Sequence, residues 1–218
     1  MEKYLFLALT LSAAGGFGYG LYRFFRGRSA MYIKMIVFGI GCAMLGRLFE
    51  TLQLFANGQI QSGFHVGILG VVGSFMFFFT ANYGQMDSLV DDGAKQFRKY
   101  RLIALAAPAC IILLYFFLVL RIGFGQVAIV RGIETLIISQ AAYYHLKHLI
   151  IPDVDYGVIR SLRQYNLLAL IYGFLCMAEM LFSTIHLPVL SIIVYVLMCA
   201  SLLVFVPALE RGVKKWKT

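Results

Sequence analysis

Charged side chains are scarce in this chain: Asp, Glu, Lys and Arg make up only 13% of its 218 residues. A soluble globular domain carries about 25% of these residue types, so the shortage excludes an ordinary soluble protein. Hydrophobic residues take their place, at 61% of the chain. We therefore predict an all-α, multi-pass integral membrane protein of the cell membrane, with the lipid bilayer as its surroundings.

Cysteine pairs and the usual catalytic patterns are lacking as well. The four cysteines fall in four different apolar stretches, and no two form a C-x-x-C pair. We expect buried free thiols rather than a disulfide framework or a zinc site. Neither H-x-x-x-H nor a set of Ser, His and Asp is evident, so we predict no catalytic residue, no metal and no cofactor.

Seven mostly apolar stretches are each long enough to cross about 30 Å of hydrocarbon as a helix. They cover approximately residues 4–22, 31–56, 62–84, 102–120, 125–149, 165–185 and 187–207. The longest connections, around residues 85–100 and 151–164, leave no room for a separate soluble domain. The sequence therefore predicts one seven-helix transmembrane domain over residues 1–218.

Lys and Arg collect in alternate connections, and this asymmetry predicts the orientation of the chain. Basic residues follow the first, third, fifth and seventh stretches, whereas the opposite side carries little beyond Lys3 and Arg121. Because basic loops stay cytoplasmic, we predict an external N-terminus and an internal C-terminus. Contact with anionic lipid then explains the net charge of +9, and we expect no nucleic-acid partner.

The motif R-x-x-E-T-L occurs twice inside apolar stretches, with Arg47 and Glu50 in the second and Arg131 and Glu134 in the fifth. An ionisable group in a membrane span is costly and by default indicates a functional site. The two helices would run in opposite directions, which brings Arg47 level with Glu134 and Glu50 level with Arg131. The motif therefore predicts two ion pairs between neighbouring helices, about 9 and 13 Å below their outer ends.

Two further ionisable residues extend this cluster: Glu179 in the sixth helix and His65 near the outer mouth of the third. Two arginines then face three glutamates, so one glutamate is protonated, His65 is charged, or a ligand supplies the difference. In one interpretation the charges are a structural network that fixes helix register. In the other they line an outward-facing pocket. The predicted ligand-binding residues are Arg47, Glu50, His65, Arg131, Glu134 and Glu179.

The layout of seven helices with an external N-terminus resembles that of seven-helix receptors, in topology alone. We predict a sensor that binds a small polar or charged ligand and passes a conformational change to the cytoplasmic loops. Because no output domain follows Thr218, we expect a separate cytoplasmic signalling partner. The alternative is a small secondary transporter that breaks and remakes the Arg and Glu pairs.

A third hypothesis is a metal-dependent membrane enzyme that uses acidic residues on the cytoplasmic side. These residues follow the third and fifth stretches: Asp87, Asp91, Asp92, Asp153 and Asp155. Carboxylates suit Mg²⁺, but acidic residues interleaved with basic ones are typical of a solvated loop.

Small residues and one proline predict details of the helix packing. Gly46 in the second stretch and Gly67 and Gly70 in the third have the spacing that lets membrane helices approach closely. Pro108 is expected to kink the fourth helix, because proline removes a backbone donor.

Overall fold

The protein is described by a computed structural model of residues 2–26, 31–61, 63–83, 87, 91, 93–152 and 158–217, without the side chains of residues 158–161 and 212–217. Seven helices account for nearly all of this part of the chain, which contains no strand. They are α1 Glu2–Arg26, α2 Met31–Asn57, α3 Val66–Tyr83, α4 Lys95–Ile122, α5 Gln126–Ile150, α6 Val158–Thr184 and α7 Pro188–Lys217. The predicted all-α fold is confirmed.

Six of these seven helices, all but α5, are long and apolar enough to cross a membrane. They indicate an integral membrane protein. α5 is 25 residues long but carries Arg131, Glu134 and Lys147, which lower its hydropathy. The last two of these side chains are buried inside the bundle. The seventh membrane span therefore stays a prediction.

The surface of the bundle is apolar, as a lipid environment requires. Large side chains on several helices expose more than half of their area, among them Leu11, Leu45, Phe116 and Val196. Soluble monomers rarely expose contiguous apolar patches beyond a few hundred Å². Helices satisfy their own backbone hydrogen bonds, so such a surface can lie in hydrocarbon without a polar cost.

α4 is interrupted near its start, at Leu105. The helix runs as Arg98–Ala104 and resumes as Ala106–Ile122. Pro108 lies three residues beyond the break, and its ring crowds the carbonyl group one turn earlier. The Leu105 N–H turns to the Leu102 carbonyl oxygen at 3.2 Å. The break falls in the turn before Pro108, and the kink itself stays a prediction.

α2 and α3 touch backbone to backbone at Gly46 and Gly70. A Cβ atom built on Gly70 would lie 2.4 Å from the Gly46 Cα and 2.7 Å from the Cys42 carbonyl oxygen. α2 therefore packs against α3 and α1, whereas α5 packs against α3, α4 and α6. The prediction that α2 and α5 are packed neighbours is wrong, because the glycine face of α2 accepts α3 instead.

The bundle has two ends and an aromatic middle. We call the end that carries the start of α1 the N-terminal end, and the opposite one the C-terminal end. Between them, Phe75 and Phe78 of α3 pack with Tyr172 of α6 and Phe205 of α7, at centroid distances of 5.3 to 5.7 Å. These four side chains are at most 2% exposed, and we call them the aromatic layer.

Candidate functional site

Arg47 of α2 is a buried arginine near the N-terminal end. Its side chain is only 5% exposed. Its Nη1 donates a hydrogen bond to Glu50 Oε2 at 2.9 Å, and its Nη2 lies 4.0 Å from Glu179 Oε2 of α6. The Phe6 ring of α1 lies 5.8 Å from the guanidinium carbon, within the range of a cation–π contact. Arg47 thus joins α1, α2 and α6.

Arg131 and Glu134 form the second pair, on α5. Arg131 Nη1 donates to Glu134 Oε2 at 2.7 Å. Their surroundings differ sharply, because the Glu134 side chain is 1% exposed and the Arg131 side chain 31%. The arginine therefore presents part of its guanidinium to open space while its partner stays enclosed.

The two R-x-x-E-T segments fold in the same way. In each, the arginine pairs with the glutamate three residues on, and the threonine four residues on donates to the carbonyl oxygen of the arginine at 2.7 Å. Residues i and i+3 lie one above the other on a helix. Each arginine therefore has its nearest ion-pair partner on its own helix.

This local pairing corrects the prediction of cross-helix pairs. Neither Arg47 with Glu134 nor Glu50 with Arg131 is among the ion pairs of the described residues. The two motifs still interact at longer range, because Glu134 lies in the field of Arg47, and Arg131 in that of Glu50. The cluster is one electrostatic unit built from two local pairs.

Glu179 of α6 connects the cluster to α7. Its Oε1 accepts a hydrogen bond from the Tyr195 hydroxyl at 2.9 Å, while its Oε2 faces Arg47. Tyr195 was missed in the sequence, where it is an aromatic residue in an apolar helix. A buried tyrosine usually finds a partner for its hydroxyl, and that was the available signal.

His65 lies behind Glu50 rather than at an open mouth. It is 6% exposed and stacks on Phe49, with ring centroids 6.1 Å apart. Gly67 leaves room for both, since a Cβ there would lie 2.6 Å from Glu50 Cγ and 2.8 Å from His65 Cε1. Burial lowers the pKa of His65, an effect that Glu50 opposes and the nearby Arg131 strengthens.

A cavity of about 260 Å³ opens beside the charged cluster at the N-terminal end. Its charged lining residues are Glu2, Arg47, Glu50, Arg131 and Glu179, joined by the polar Gln61 and Ser183 and by apolar side chains of α1 and α5. Four of the six predicted ligand-binding residues line this space. His65 and Glu134 do not line it. His65 lies beside Glu50 at Gly67, and Glu134 pairs with Arg131. We call this space the charged cavity.

Acidic and basic side chains pair with each other at the C-terminal end. Lys147 Nζ lies 2.7 Å from Asp87 Oδ1 and 2.9 Å from Asp91 Oδ2, and Arg101 lies 3.3 Å from Asp91. Burial raises the pKa of Asp87, but hydrogen bonds from His148 and Lys147 outweigh it, so the pKa lies below its ordinary value.

These pairs leave the hypothesis of an acidic metal site without support from the described residues. Lysine and arginine nitrogens occupy the oxygens that a cation would need. No group of three or more potential ligands comes together in this part of the chain. Asp92, Asp153 and Asp155, the remaining members of the hypothesis, lie outside the described residues.

A second buried polar cluster lies on the C-terminal side of the aromatic layer. Asn82 Nδ2 donates to Asn166 Oδ1 at 2.8 Å and lies 2.7 Å from His145 Nδ1. All three side chains are at most 1% exposed. Each also has a buried polar atom with no partner in the described part of the protein. We call these three residues the amide–histidine cluster.

The chain matches no protein-family model, no curated protein and no solved structure.

Proposed function

We propose that this protein is a seven-span membrane sensor that binds a small polar or charged ligand in the charged cavity. The observation that carries the proposal is the exposure of Arg131, 31% of whose side chain is accessible where it lines a cavity with four other charged residues. A network that only fixed helix register would enclose its charges fully. An accessible guanidinium surrounded by carboxylates is a preformed recognition surface.

The position of the cavity supports sensing. Its walls come from α1, α2, α5, α6 and the connection between α2 and α3. Arg47 and Glu179 link three of these helices, α1, α2 and α6, with α7. A ligand that bridges the walls favours one spacing of these helices over another, and such differential binding is what a conformational response requires. Lys147 ties α5 to Asp87 and Asp91, so a shift of α5 reaches the C-terminal end, where we place a separate cytoplasmic signalling partner.

The proposed orientation has an external N-terminus, an internal C-terminus and α5 as the seventh span. Basic side chains of the C-terminal end, such as Arg26, Arg101 and Arg211, would then meet the cytoplasmic leaflet. To test this, single cysteines are introduced as Lys3→Cys or Lys214→Cys after replacement of the four native cysteines. An impermeant thiol reagent on intact cells should label the first variant only, and the opposite pattern would reverse the orientation.

A small secondary transporter is the second candidate, and the amide–histidine cluster favours it. Glu179 and Asn166 lie on α6 about 20 Å apart along the helix axis, with Tyr172 of the aromatic layer between them. Polar side chains thus stand on both sides of a thin aromatic barrier. Rearrangement of that barrier would give the cavity access from the other side, as alternating access demands.

Binding and flux measurements separate the two candidates. Purified full-length protein is screened for a rise in apparent melting temperature with small anions, amines and amino acids, because a ligand of the native state raises stability. A compound that binds saturably without accumulating in proteoliposomes supports a sensor, whereas concentration-dependent uptake supports a transporter. Arg121→Gln is the matched control, because Arg121 lines a different groove whose other lining residues are apolar. If no compound stabilises the protein, the ligand-binding proposal fails.

A further inference from the structure

We infer that the ligand of the charged cavity is a small zwitterion, with an anionic group held by Arg131 and an ammonium group held between Glu50 and Glu179. This inference rests on the proposed ligand-binding function and specifies its chemistry. It follows from how the hydrogen-bonding capacity of each charged residue is used.

Arg131 supplies the anionic end of the site. A guanidinium has five N–H donors in a fixed fork, and Glu134 takes a hydrogen bond from one nitrogen, Nη1. Glu134 is enclosed, whereas Arg131 is accessible and lines the cavity. Donors remain on the open side, and a planar carboxylate matches their geometry with two parallel hydrogen bonds.

Glu50 and Glu179 supply the cationic end. Both line the cavity, and both depend on the same arginine, Arg47, which donates a hydrogen bond to Glu50 and reaches only to 4.0 Å from Glu179. Two carboxylates therefore share one positive charge. An ionised carboxylate can accept about four hydrogen bonds, so both keep acceptor capacity for an ammonium group, which has three donors.

The free hydrogen-bonding capacity of the two walls, rather than their net charge, favours a ligand with two charged groups. An anion alone would satisfy Arg131 but leave the two carboxylates with a surplus negative charge. An amine alone would reduce that surplus but leave the remaining donors of Arg131, whose charge Glu134 already balances, without an acceptor. A molecule with both groups provides an acceptor for Arg131 and a donor for Glu50 and Glu179, and buried charged groups need such partners.

The size and lining of the cavity restrict the class further. A volume of about 260 Å³ lies below the usual range for drug-sized ligands, about 300 to 1,000 Å³. Phe6 of α1 and Val130 of α5 add apolar surface between the charged walls. A short methylene chain between amine and carboxylate fits this arrangement, as in small amino acids.

Matched probes test the ligand class. Glycine, β-alanine and γ-aminobutyrate are compared with ethylamine, butylamine, acetate and butyrate for their effect on the apparent melting temperature of the full-length protein at pH 7. At least one amino acid should raise the melting temperature at a concentration at least tenfold lower than the single-charge probes require. If an amine or an acid alone acts equally well, the zwitterion inference is wrong although a ligand site remains.

Two variants assign the effect to the cavity. Arg131→Gln combined with Glu134→Gln removes the pair without leaving either charge alone, so the fold should be retained. The affinity for the amino acid that stabilises the wild-type protein should fall at least tenfold. Arg121→Gln should leave it unchanged. If no amino acid stabilises the wild-type protein, or if the double variant binds it as well as the wild type, the inference is overturned. The wider ligand screen tests the sensor proposal independently.

Discussion

Replacing Arg131 by Gln should destabilise the protein more than replacing its partner Glu134 by Gln. The first change leaves a carboxylate that is 1% exposed without its arginine. Breaking a buried ion pair from one side costs about 3–5 kcal/mol, because the remaining charge is uncompensated. The second change leaves an arginine whose side chain is 31% exposed and can still be solvated through the cavity. Its cost should stay near that of a lost charged hydrogen bond, about 1.5–3 kcal/mol.

The double variant Arg131→Gln with Glu134→Gln completes a thermodynamic cycle. Because it leaves no charge behind, it should be more stable than Arg131→Gln alone, with a coupling free energy on the order of 1–3 kcal/mol. The free energies of unfolding are measured by denaturant titration in mixed micelles at pH 7. Glu210→Gln serves as a control, because it breaks a pair with the partly exposed Arg23 at the opposite end and should change stability little.

Two outcomes would refute this reasoning. If Glu134→Gln is the more damaging single change, the enclosed carboxylate is not the group that depends on the pair. If the losses of the two single variants simply add in the double variant, the two side chains are not coupled. In either case the unequal exposure of the pair would have no energetic meaning.

Three further predictions concern the rest of the cluster and its support. Exchanging partners within the first motif, Arg47→Glu with Glu50→Arg, should retain more stability than Arg47→Glu alone in the same denaturant assay; equal losses would argue against local pairing. Gly70→Ala should cost about 1–3 kcal/mol through backbone overpacking, whereas Gly18→Ala, whose added Cβ meets nothing within 4 Å, should be neutral or stabilising. Burial lowers the pKa of His65 below its ordinary 6.5, so on acidification the unfolded chain takes up the proton first and stability is lost as the pH falls below 6.5; His65→Asn should flatten that decline in a series of melting curves, and an unchanged slope would exclude His65 as its source.

The helices could be predicted from the sequence because each apolar stretch is about as long as a helix that spans a bilayer. Their ends could not. α1 extends to Arg26 and α7 to Lys217, beyond the predicted 22 and 207. An apolar stretch ends where the side chains become polar. A helix can continue beyond that point because its backbone hydrogen bonds do not depend on apolar side chains. A basic final turn also interacts favourably with the helix dipole.

The residues of the candidate site could be predicted as a set, but their pairing could not. Counting residues from the outer ends of the helices gives the depth of each side chain in the bundle. It contains no information on which helices are neighbours. That information lies in Gly46 and Gly70, whose missing side chains let α3 take the place beside α2. The same motif already contained the correct pairing, because an arginine and a glutamate three residues apart reach each other on one helix.

The arginines of the two R-x-x-E-T-L motifs also differ in exposure, and the motif itself does not reveal this difference. Both place an arginine over a glutamate, yet Arg47 is enclosed and shared with Glu179, while Arg131 stays accessible beside the cavity. One copy thus holds helices together, and the other retains free donors. Both copies line the cavity, so in the proposed binding mode Arg131 would hold the anionic group, and Glu50 of the enclosed copy, together with Glu179, would hold the ammonium group.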